Sequence, residues 1–130
     1  MTNQLRAKWH AYMQKPSQEA LSEMLHDDVT FISPVVFTPQ KGKDLAIKYL
    51  LSAGTVFKDT KFKYVHELEF ENRMVLEFEA EMDGKYINGV DIVDFDDDGL
   101  ITQFKVMVRP LQAVNMLWQQ MGAQLEQISA

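Results

Sequence analysis

The chain has 130 residues, and its hydrophobic fraction of 46% and charged fraction of 25% are those of an ordinary globular domain. Its net charge of −6, without a basic stripe, argues against binding to the backbone of a nucleic acid. Cysteine is absent, which excludes disulfides, thiol nucleophiles and thiolate metal ligands.

The first half of the chain predicts three helices and one strand. Apolar residues spaced i, i+4, i+7 and i+8 predict an amphipathic first helix. Its apolar face contains Leu5, Trp9, Tyr12 and Met13. Pro16 opens a second short helix, which we expect to end at residues 26–28. A β-branched and aromatic strand over residues 29–33 precedes a loop over residues 34–42, and a third helix then ends at Gly54.

The second half predicts four consecutive strands and a last helix. Apolar and polar residues alternate over residues 60–71, 73–82, 85–95 and 100–108, with turn residues between them. Pro110 opens the last helix. Its apolar stripe contains Leu111, Val114, Leu117, Trp118, Met121, Leu125 and Ile128. Short turns favour an antiparallel meander, and one apolar face per strand favours an α+β sheet covered on one side.

No stretch approaches the ~20 apolar residues that span a bilayer, and residues 1–15 lack the apolar run of a signal peptide. We therefore expect a cytoplasmic protein without a membrane partner. The sequence contains no internal repeat and no linker, so residues 1–130 are predicted to form one domain.

This order of elements resembles the NTF2-like superfamily, particularly its SnoaL-like and ketosteroid-isomerase-like branch. Three segments carry the resemblance: the aromatic first helix before LHDDVTFISP, the helix KGKDLAIKYL, and the late segment NGVDIVDFDDDGLITQFKVMVRPL. The resemblance implies an NTF2-like (cystatin-like) fold, in which helices pack on the concave face of a curved antiparallel sheet and enclose an apolar pocket. The superfamily includes isomerases, cyclases, epoxide hydrolases, dehydratases and non-catalytic proteins, so the fold leaves the activity open.

Ketosteroid isomerases use a carboxylate base, a tyrosine, and an aspartic acid kept protonated by apolar surroundings. The resemblance places Asp91 at the position of the protonated acid. Ser33 stands at the position of the base, and Trp9 at that of the tyrosine, with Tyr12 one turn later. The protonated acid is therefore matched, the base is replaced by serine and the tyrosine is displaced by one turn. These differences put the usual isomerase mechanism in doubt.

Asp91 is the main candidate for chemistry. It shares strand parity with Val93 and Phe95, so we expect its side chain to face the interior. Burial disfavours the ionised carboxylate and can raise its pKa by up to ~3–5 units. A protonated Asp91 could donate a hydrogen bond to a ligand carbonyl or act as a general acid. The alternative is a structural aspartate bonded to a tyrosine or a backbone amide.

The predicted pocket lining is mostly aromatic and aliphatic. It comprises Trp9, Tyr12, Ser33, Phe37, Phe57, Val93, Phe104 and Val106. The two aromatic residues of the first helix serve either as core or as the pocket roof. Ser33 either orients a ligand or tolerates a half-buried position, since a hydroxyl without a base is not a nucleophile.

Histidine is the residue type best suited to act as a base near neutral pH. His66 shares the predicted strand face of Tyr64 and is therefore a candidate base, although a core histidine bonded to a neighbour is the alternative. His10 and His26 are predicted to lie at the surface.

Arg109 follows the last predicted strand. Some epoxide hydrolases of this superfamily place an arginine between two aspartates, but the inward parity of Val106 and Val108 puts Arg109 on the opposite face. We expect an ion pair at the strand end or a subunit contact instead.

Residues 94–101 imitate the start of an EF-hand loop, but Lys105 occupies the position of the bidentate glutamate and strands flank the segment. A solvated hairpin turn is the expectation. Histidines at metal-ligand spacing are also missing, so no metal and no cofactor are predicted.

A row of glutamates predicts a solvated outer sheet face: Glu67, Glu69, Glu71, Glu77, Glu79 and Glu81. Val75, Val90 and Ile92 share that convex side, where proteins of this superfamily commonly dimerise, so we expect a homodimer. Trp118 and Met121 of the last helix either close the pocket or pack on the partner.

Two functions remain open from the sequence. One is an isomerase, cyclase or lyase that uses Asp91 as acid and base on a small, mostly apolar carbonyl compound. The other is a non-catalytic domain that binds a lipophilic molecule or a protein partner. An inward-facing Asp91 favours the first, and the loss of both the base, at Ser33, and the first-helix tyrosine, at Trp9, favours the second.

Overall fold

A computed structural model describes residues 3–129 of the chain, and the side chains of residues 5–126. Four helices and six strands follow one another in this described part. They are α1 (Asn3–Gln14), α2 (Gln18–Met24), β1 (Leu25–Ile32), β2 (Gln40–Lys41), α3 (Lys43–Val56), β3 (Lys63–Phe70), β4 (Arg73–Met82), β5 (Lys85–Phe95), β6 (Ile101–Arg109) and α4 (Leu111–Ser129). No helix in residues 3–129 is both long and apolar enough to cross a bilayer.

The six strands form one sheet in the order β2-β1-β6-β5-β4-β3. Strands β3 to β6 are the predicted antiparallel meander, while β1 pairs parallel with β6 and antiparallel with the short β2. The hairpin between β4 and β5 turns at Asp83 and Gly84, which both have positive φ, as tight hairpin turns require. The predicted α+β arrangement, a curved sheet with helices packed on one face, is confirmed.

The core lies between the helices and the inner face of the curved sheet. The apolar stripe of α1, including Leu5, Trp9 and Tyr12, packs with α2, α3 and the inward side chains of β1, β4, β5 and β6. A second cluster surrounds Phe78 and includes Ala113 of α4. Strict alternation along β4 and β5 buries every second side chain, as their sequences predict.

Several predicted boundaries are wrong. Residues 26–28 do not end α2 but belong to β1, which already pairs with β6 at Leu25. The predicted loop contains the two-residue strand β2. Helix α3 passes through Gly54 and ends at Val56, since a helix tolerates one glycine at a modest cost.

The stripe predicted for α4 is also partly wrong. Leu117 and Met121 are buried, together with Ala113, whereas Leu111 and Trp118 are exposed. The side chain of Ile128 lies outside the described side chains.

A β-bulge in β3 has the largest consequence for the site. Tyr64 pairs with Phe78 and His66 pairs with Glu77, so Val65 is an extra residue in the strand. The alternation of faces therefore reverses after Tyr64. The predicted inward orientation of His66 is wrong, since its side chain is 78% exposed and bonded to Glu77 on the outer face at 3.0 Å.

The same bulge turns two glutamates of the predicted outer row inward. The side chain of Glu67 is 27% exposed and pairs with α1. Both carboxylate oxygens of Glu69 are buried without a hydrogen-bond partner among the described residues. The outer positions of this part of β3 are taken by Leu68 and Phe70 instead.

Candidate functional site

A cavity of about 710 Å³ lies between α1, α3 and the inner face of the sheet. This volume is within the range of ~300–1,000 Å³ that is usual for small-molecule sites. Most of the lining is apolar and includes Trp9, Tyr12, Met13, Phe31, Leu50, Leu51, Phe57, Phe62, Phe78, Phe104 and Val106. The polar groups of the lining include His10, Lys58, Lys63, Tyr64 and Asp91.

Asp91 reaches this cavity from the middle of the sheet. Its neighbours across the strands are Leu76 on β4 and Val106 on β6, and the residue is only 6% exposed. Burial among these apolar groups raises the pKa of Asp91 from 3.8 to about 7, although a hydrogen bond from Tyr64 acts in the opposite direction. Near neutral pH both the protonated and the ionised carboxyl are therefore populated.

Trp9, Tyr64 and Asp91 form a directed chain of hydrogen bonds. The indole Nε1 of Trp9 donates to the hydroxyl oxygen of Tyr64 at 2.8 Å. The Tyr64 hydroxyl in turn donates to Oδ2 of Asp91 at 3.2 Å. The direction follows from chemistry, because an indole N–H can only donate and a phenol carries one hydrogen.

Tyr64 remains a phenol in this chain. Burial, together with the charges of Asp91 and Glu67, raises the pKa of Tyr64 well above its ordinary value. The residue was missing from the predicted site. Its sequence position could have indicated it, because Tyr64 alternates with Phe62 on the inward side and its strand lies next but one to that of Asp91.

Tyr12 supplies a second phenol to the lining. Its ring lies 5.0 Å from that of Trp9, and its hydroxyl is buried without a hydrogen-bond partner among the described residues. Burial raises the pKa of Tyr12 to about 12. An unpaired buried hydroxyl is unfavourable, so the Tyr12 hydroxyl lowers the stability of the folded chain.

Residues 7–104 match the family model of the SnoaL-like domain. The chain belongs to the SnoaL-like domain family. No curated protein matches this SnoaL-like chain.

Three solved structures place this SnoaL-like domain among NTF2-like folds. It shares 33% sequence identity and a TM-score of 0.91 with a steroid delta-isomerase from Pseudomonas aeruginosa, over 99% of this chain and 95% of that chain. With an uncharacterised protein of cystatin-like fold from Silicibacter pomeroyi it shares 27% identity and a TM-score of 0.84, over 92% and 84% of the two chains. An NTF2-like protein from Cytophaga hutchinsonii, at 22% identity, shares the fold with a TM-score of 0.63, over 87% and 94%.

Most of the residues predicted for the site of this SnoaL-like domain meet at the cavity. Those that line it are Trp9, Tyr12, Phe57, Asp91, Phe104 and Val106. The residues come from α1, the end of α3 and two neighbouring strands, and the fold brings them together from distant parts of the chain.

Three predicted lining residues do not line the cavity. Phe37 is 98% exposed, since it lies in the loop before β2, where no strand or helix periodicity directs its side chain. Val93 is instead fully buried in the core, where its neighbours across the strands are Met74 and Phe104. The hydroxyl of Ser33 accepts a hydrogen bond from the backbone N–H of Val35 at 3.1 Å, and thus stabilises the turn after β1.

His10 is partly exposed, as predicted, but it does not lie on the surface alone. Its side chain is 39% exposed, but it also borders the cavity and bonds to Glu67. Arg109 points to the outer face, as its parity predicts, and its guanidinium lies 3.5 Å from the side-chain oxygen of Asn88.

The acidic segment after β5 is a hairpin turn. One carboxylate oxygen of Asp96 accepts hydrogen bonds from the backbone N–H groups of Asp98 and Leu100, and Gly99 has a φ of 82°. Within the described part of the chain, no three His, Asp or Glu side chains cluster as metal ligands do.

Proposed function

We propose that this SnoaL-like domain binds a small, mostly apolar carbonyl compound in its cavity and transfers a proton on it, with Asp91 as an acid/base group. The observation that carries this proposal is the position of Asp91. Its carboxyl group lies at the wall of a largely aromatic cavity, buried, with one oxygen bonded to Tyr64.

The second oxygen of Asp91 is available to a ligand. Oδ1 accepts no hydrogen bond from the described residues, whereas Oδ2 accepts that of Tyr64. When Asp91 is protonated, Oδ1 can donate to a ligand carbonyl, and when it is ionised it can take a proton from a neighbouring carbon. A pKa of about 7 makes both forms accessible, and the cavity wall leaves Asp91 only 6% exposed to solvent.

The comparison with the steroid delta-isomerase supports a particular reaction class. That protein is 33% identical to this chain over nearly its whole length. We therefore propose the movement of a carbon–carbon double bond next to a carbonyl group, on a ligand of up to steroid size. Such an isomerisation needs a proton removed at one carbon and returned at another, and nothing else is consumed.

The second candidate is a domain that binds a lipophilic molecule without reaction. Ser33 favours it, because this residue stands where the family resemblance places a base and its hydroxyl is bonded to Val35. The two candidates differ in what Asp91 does, since a binding domain needs no titratable group in its cavity.

An assay on β,γ-unsaturated ketones separates the candidates. The panel would run from cyclohexenones to a β,γ-unsaturated steroid ketone, and the conjugated product is followed by ultraviolet absorbance. Asp91→Asn is expected to lower kcat by about 100-fold or more, the usual contribution of acid–base catalysis. Asp94→Asn, on the outer face of the same strand, is the matched control and should leave kcat unchanged. Binding of these ketones without turnover would support the second candidate.

We also propose that the partner of the outer sheet face is a second copy of this chain. Leu68, Phe70 and Met107 are exposed there, and Leu68 and Met107 border a groove of about 400 Å³ that also contains Val75 and Val90. Exposed apolar groups around a groove are typical of association sites. Light scattering coupled to size exclusion should give the mass of a dimer for the wild type, and Leu68→Glu should reduce it toward that of a monomer.

A further inference from the structure

His10 and Glu67 form a polar pair at the edge of the cavity. Nε2 of His10 lies 2.8 Å from Oε1 of Glu67, and the two side chains are 39% and 27% exposed. The pair joins α1 to β3, and it exists because the bulge at Val65 turns Glu67 inward. Arg6 lies further from the same carboxylate, with Nε at 3.9 Å from Oε1.

Tyr64 connects this pair to Asp91. The His10 ring lies edge-on to the Tyr64 ring, with 5.6 Å between the ring centres. The hydroxyl of the same tyrosine bonds to Asp91. His10, Tyr64 and Asp91 all border the cavity, so one small molecule bound in it can contact both His10 and Asp91.

The partner of His10 determines which ring nitrogen is basic. An ionised carboxylate can only accept hydrogen bonds, so Nε2 carries the hydrogen that points to Glu67. In the neutral ring Nδ1 is then unprotonated, and no described residue bonds to it. A histidine held in one tautomer by a carboxylate is the usual form of a general base.

We propose that His10 is the general base of this domain, with Glu67 as its positioning residue and Asp91 as the acid. This inference rests on the reaction proposed above and adds to it the group that Ser33 does not supply. The other titratable groups of the described lining are less suitable. Lysine side chains such as Lys58 and Lys63 are hydrogen-bond donors without an acceptor, and burial raises the pKa of Tyr12 to about 12.

The proposed step balances without a co-reactant. Nδ1 of His10 takes a proton from the carbon between the carbonyl and the double bond, so that a C–H bond breaks and an N–H bond forms. The electron pair moves to the carbonyl oxygen, to which protonated Asp91 donates a hydrogen bond. Return of the proton from Nδ1 to the far carbon of the former double bond gives the conjugated ketone and restores neutral His10.

The test uses the β,γ-unsaturated steroid ketone and the full chain. His10→Gln is expected to lower kcat by about 100-fold or more while KM changes little. His66→Gln is the matched control, because His66 forms the same kind of pair with Glu77 on the opposite face of the sheet. His10→Ala should recover activity when imidazole is added to the buffer. Such a recovery would show that the missing group acts chemically, since free imidazole does not repair a structural defect. The ¹⁵N shifts of His10 should show hydrogen on Nε2 in the wild type, and Glu67→Gln should weaken that preference and lower kcat.

The outcomes separate this inference from the proposed function. If Asp91→Asn loses activity while His10→Gln retains it, His10 is not the base and the proposed function stands. A loss in His10→Ala that imidazole does not restore, with a normal Glu67→Gln, would also overturn the role of His10. If the wild type turns over neither the steroid ketone nor the smaller ketones, the proposed reaction fails and the role of His10 fails with it.

Discussion

The hydroxyl of Tyr64 donates a 3.2 Å hydrogen bond to Asp91 across strand β4, which lies between their two strands. The tyrosine is held in this position by Trp9, which donates to the same hydroxyl oxygen from α1. A helix is thereby connected through a phenol to the one carboxyl group that the lining of the cavity contains among the described residues. The protonation of Asp91 therefore depends on Tyr64.

Replacement of Tyr64 by phenylalanine tests this dependence. The hydrogen bond from Tyr64 lowers the pKa of Asp91, while burial raises it, so Tyr64→Phe is expected to raise that pKa above about 7. The change also leaves the buried N–H of Trp9 unpaired, which should cost ~1–3 kcal/mol of unfolding free energy. The carboxyl ¹³C shift of Asp91 followed against pH measures the first effect, and urea unfolding measures the second. A fall in the pKa of Asp91 would contradict this account.

Asp91→Asn is expected to change how stability depends on pH. The pKa of Asp91 is about 7 in the folded state and 3.8 in the unfolded chain, so between these values the folded state binds more protons. Wild-type stability should therefore fall as pH rises from about 4 to about 7, and stay level above that range. At ~1.4 kcal/mol for each pH unit, the full loss is on the order of 4 kcal/mol.

The asparagine variant lacks this loss, because its side chain does not titrate. It should exceed the wild type in stability at pH 8, and the advantage should shrink toward pH 5. Urea unfolding of both proteins at the two pH values measures it, with Asp94→Asn as the control on the outer face. An equal difference at both pH values would show that Asp91 is ionised in the folded protein.

The comparison of Asp91 with His66 shows how far alternation in a strand can predict a site. The inward position of Asp91 is predictable because β5 pairs with β4 from Lys85 to Asp94 without a break in register. His66 follows a bulge, and a sequence of alternating residues does not reveal where one extra residue enters. The same bulge conceals the pairing of Glu67 with His10, so unbroken alternation favours His66 as the candidate base, although its side chain lies on the outer face.

Loop residues and buried tyrosines show a second limit to what the sequence can predict about the site. Phe37 is as apolar as Phe57, but Phe57 caps α3 and its ring contacts those of Phe62 and Phe78, whereas Phe37 lies on a loop and is exposed. Apolar character therefore predicts burial only where a helix or strand directs the side chain. The alternation of residues predicts that Tyr64 faces the core. It does not predict the hydrogen bond to Asp91, because that bond depends on how the three strands pair.

Gly89 is expected to be necessary for the packing of Phe78. These residues are directly opposite on β5 and β4, and a Cβ at position 89 would lie 2.7 and 2.9 Å from two ring carbons of Phe78 and closer still to a third. Gly89→Ala should therefore displace a ring that lines the cavity and cost ~1–3 kcal/mol. Gly122→Ala is the control, because nothing lies within 4 Å of its Cβ position in α4 and alanine favours a helix by up to ~1 kcal/mol. Thermal unfolding of the two variants should show shifts of opposite sign, and a stable Gly89→Ala protein would mean that the ring moves freely.

Tyr12 should show a conflict between stability and ligand binding. Its hydroxyl is buried in the cavity wall without a partner among the described residues, so Tyr12→Phe removes an unsatisfied group and keeps the ring against Trp9. The variant without ligand should unfold at higher urea concentration, by ~1–3 kcal/mol in free energy. If a ligand acceptor normally pairs with this hydroxyl, the same variant should bind the steroid ketone more weakly, by an amount similar to one hydrogen bond, ~0.5–1.5 kcal/mol. Calorimetric titration of wild type and variant measures the binding.

Trp9→Phe is the comparison for stability, because the Trp9 N–H is paired with Tyr64 and its removal should lower the free energy of unfolding. Lower stability in Tyr12→Phe without ligand would mean that the hydroxyl is already satisfied, by ordered water in the cavity, and that a ligand gains nothing from it.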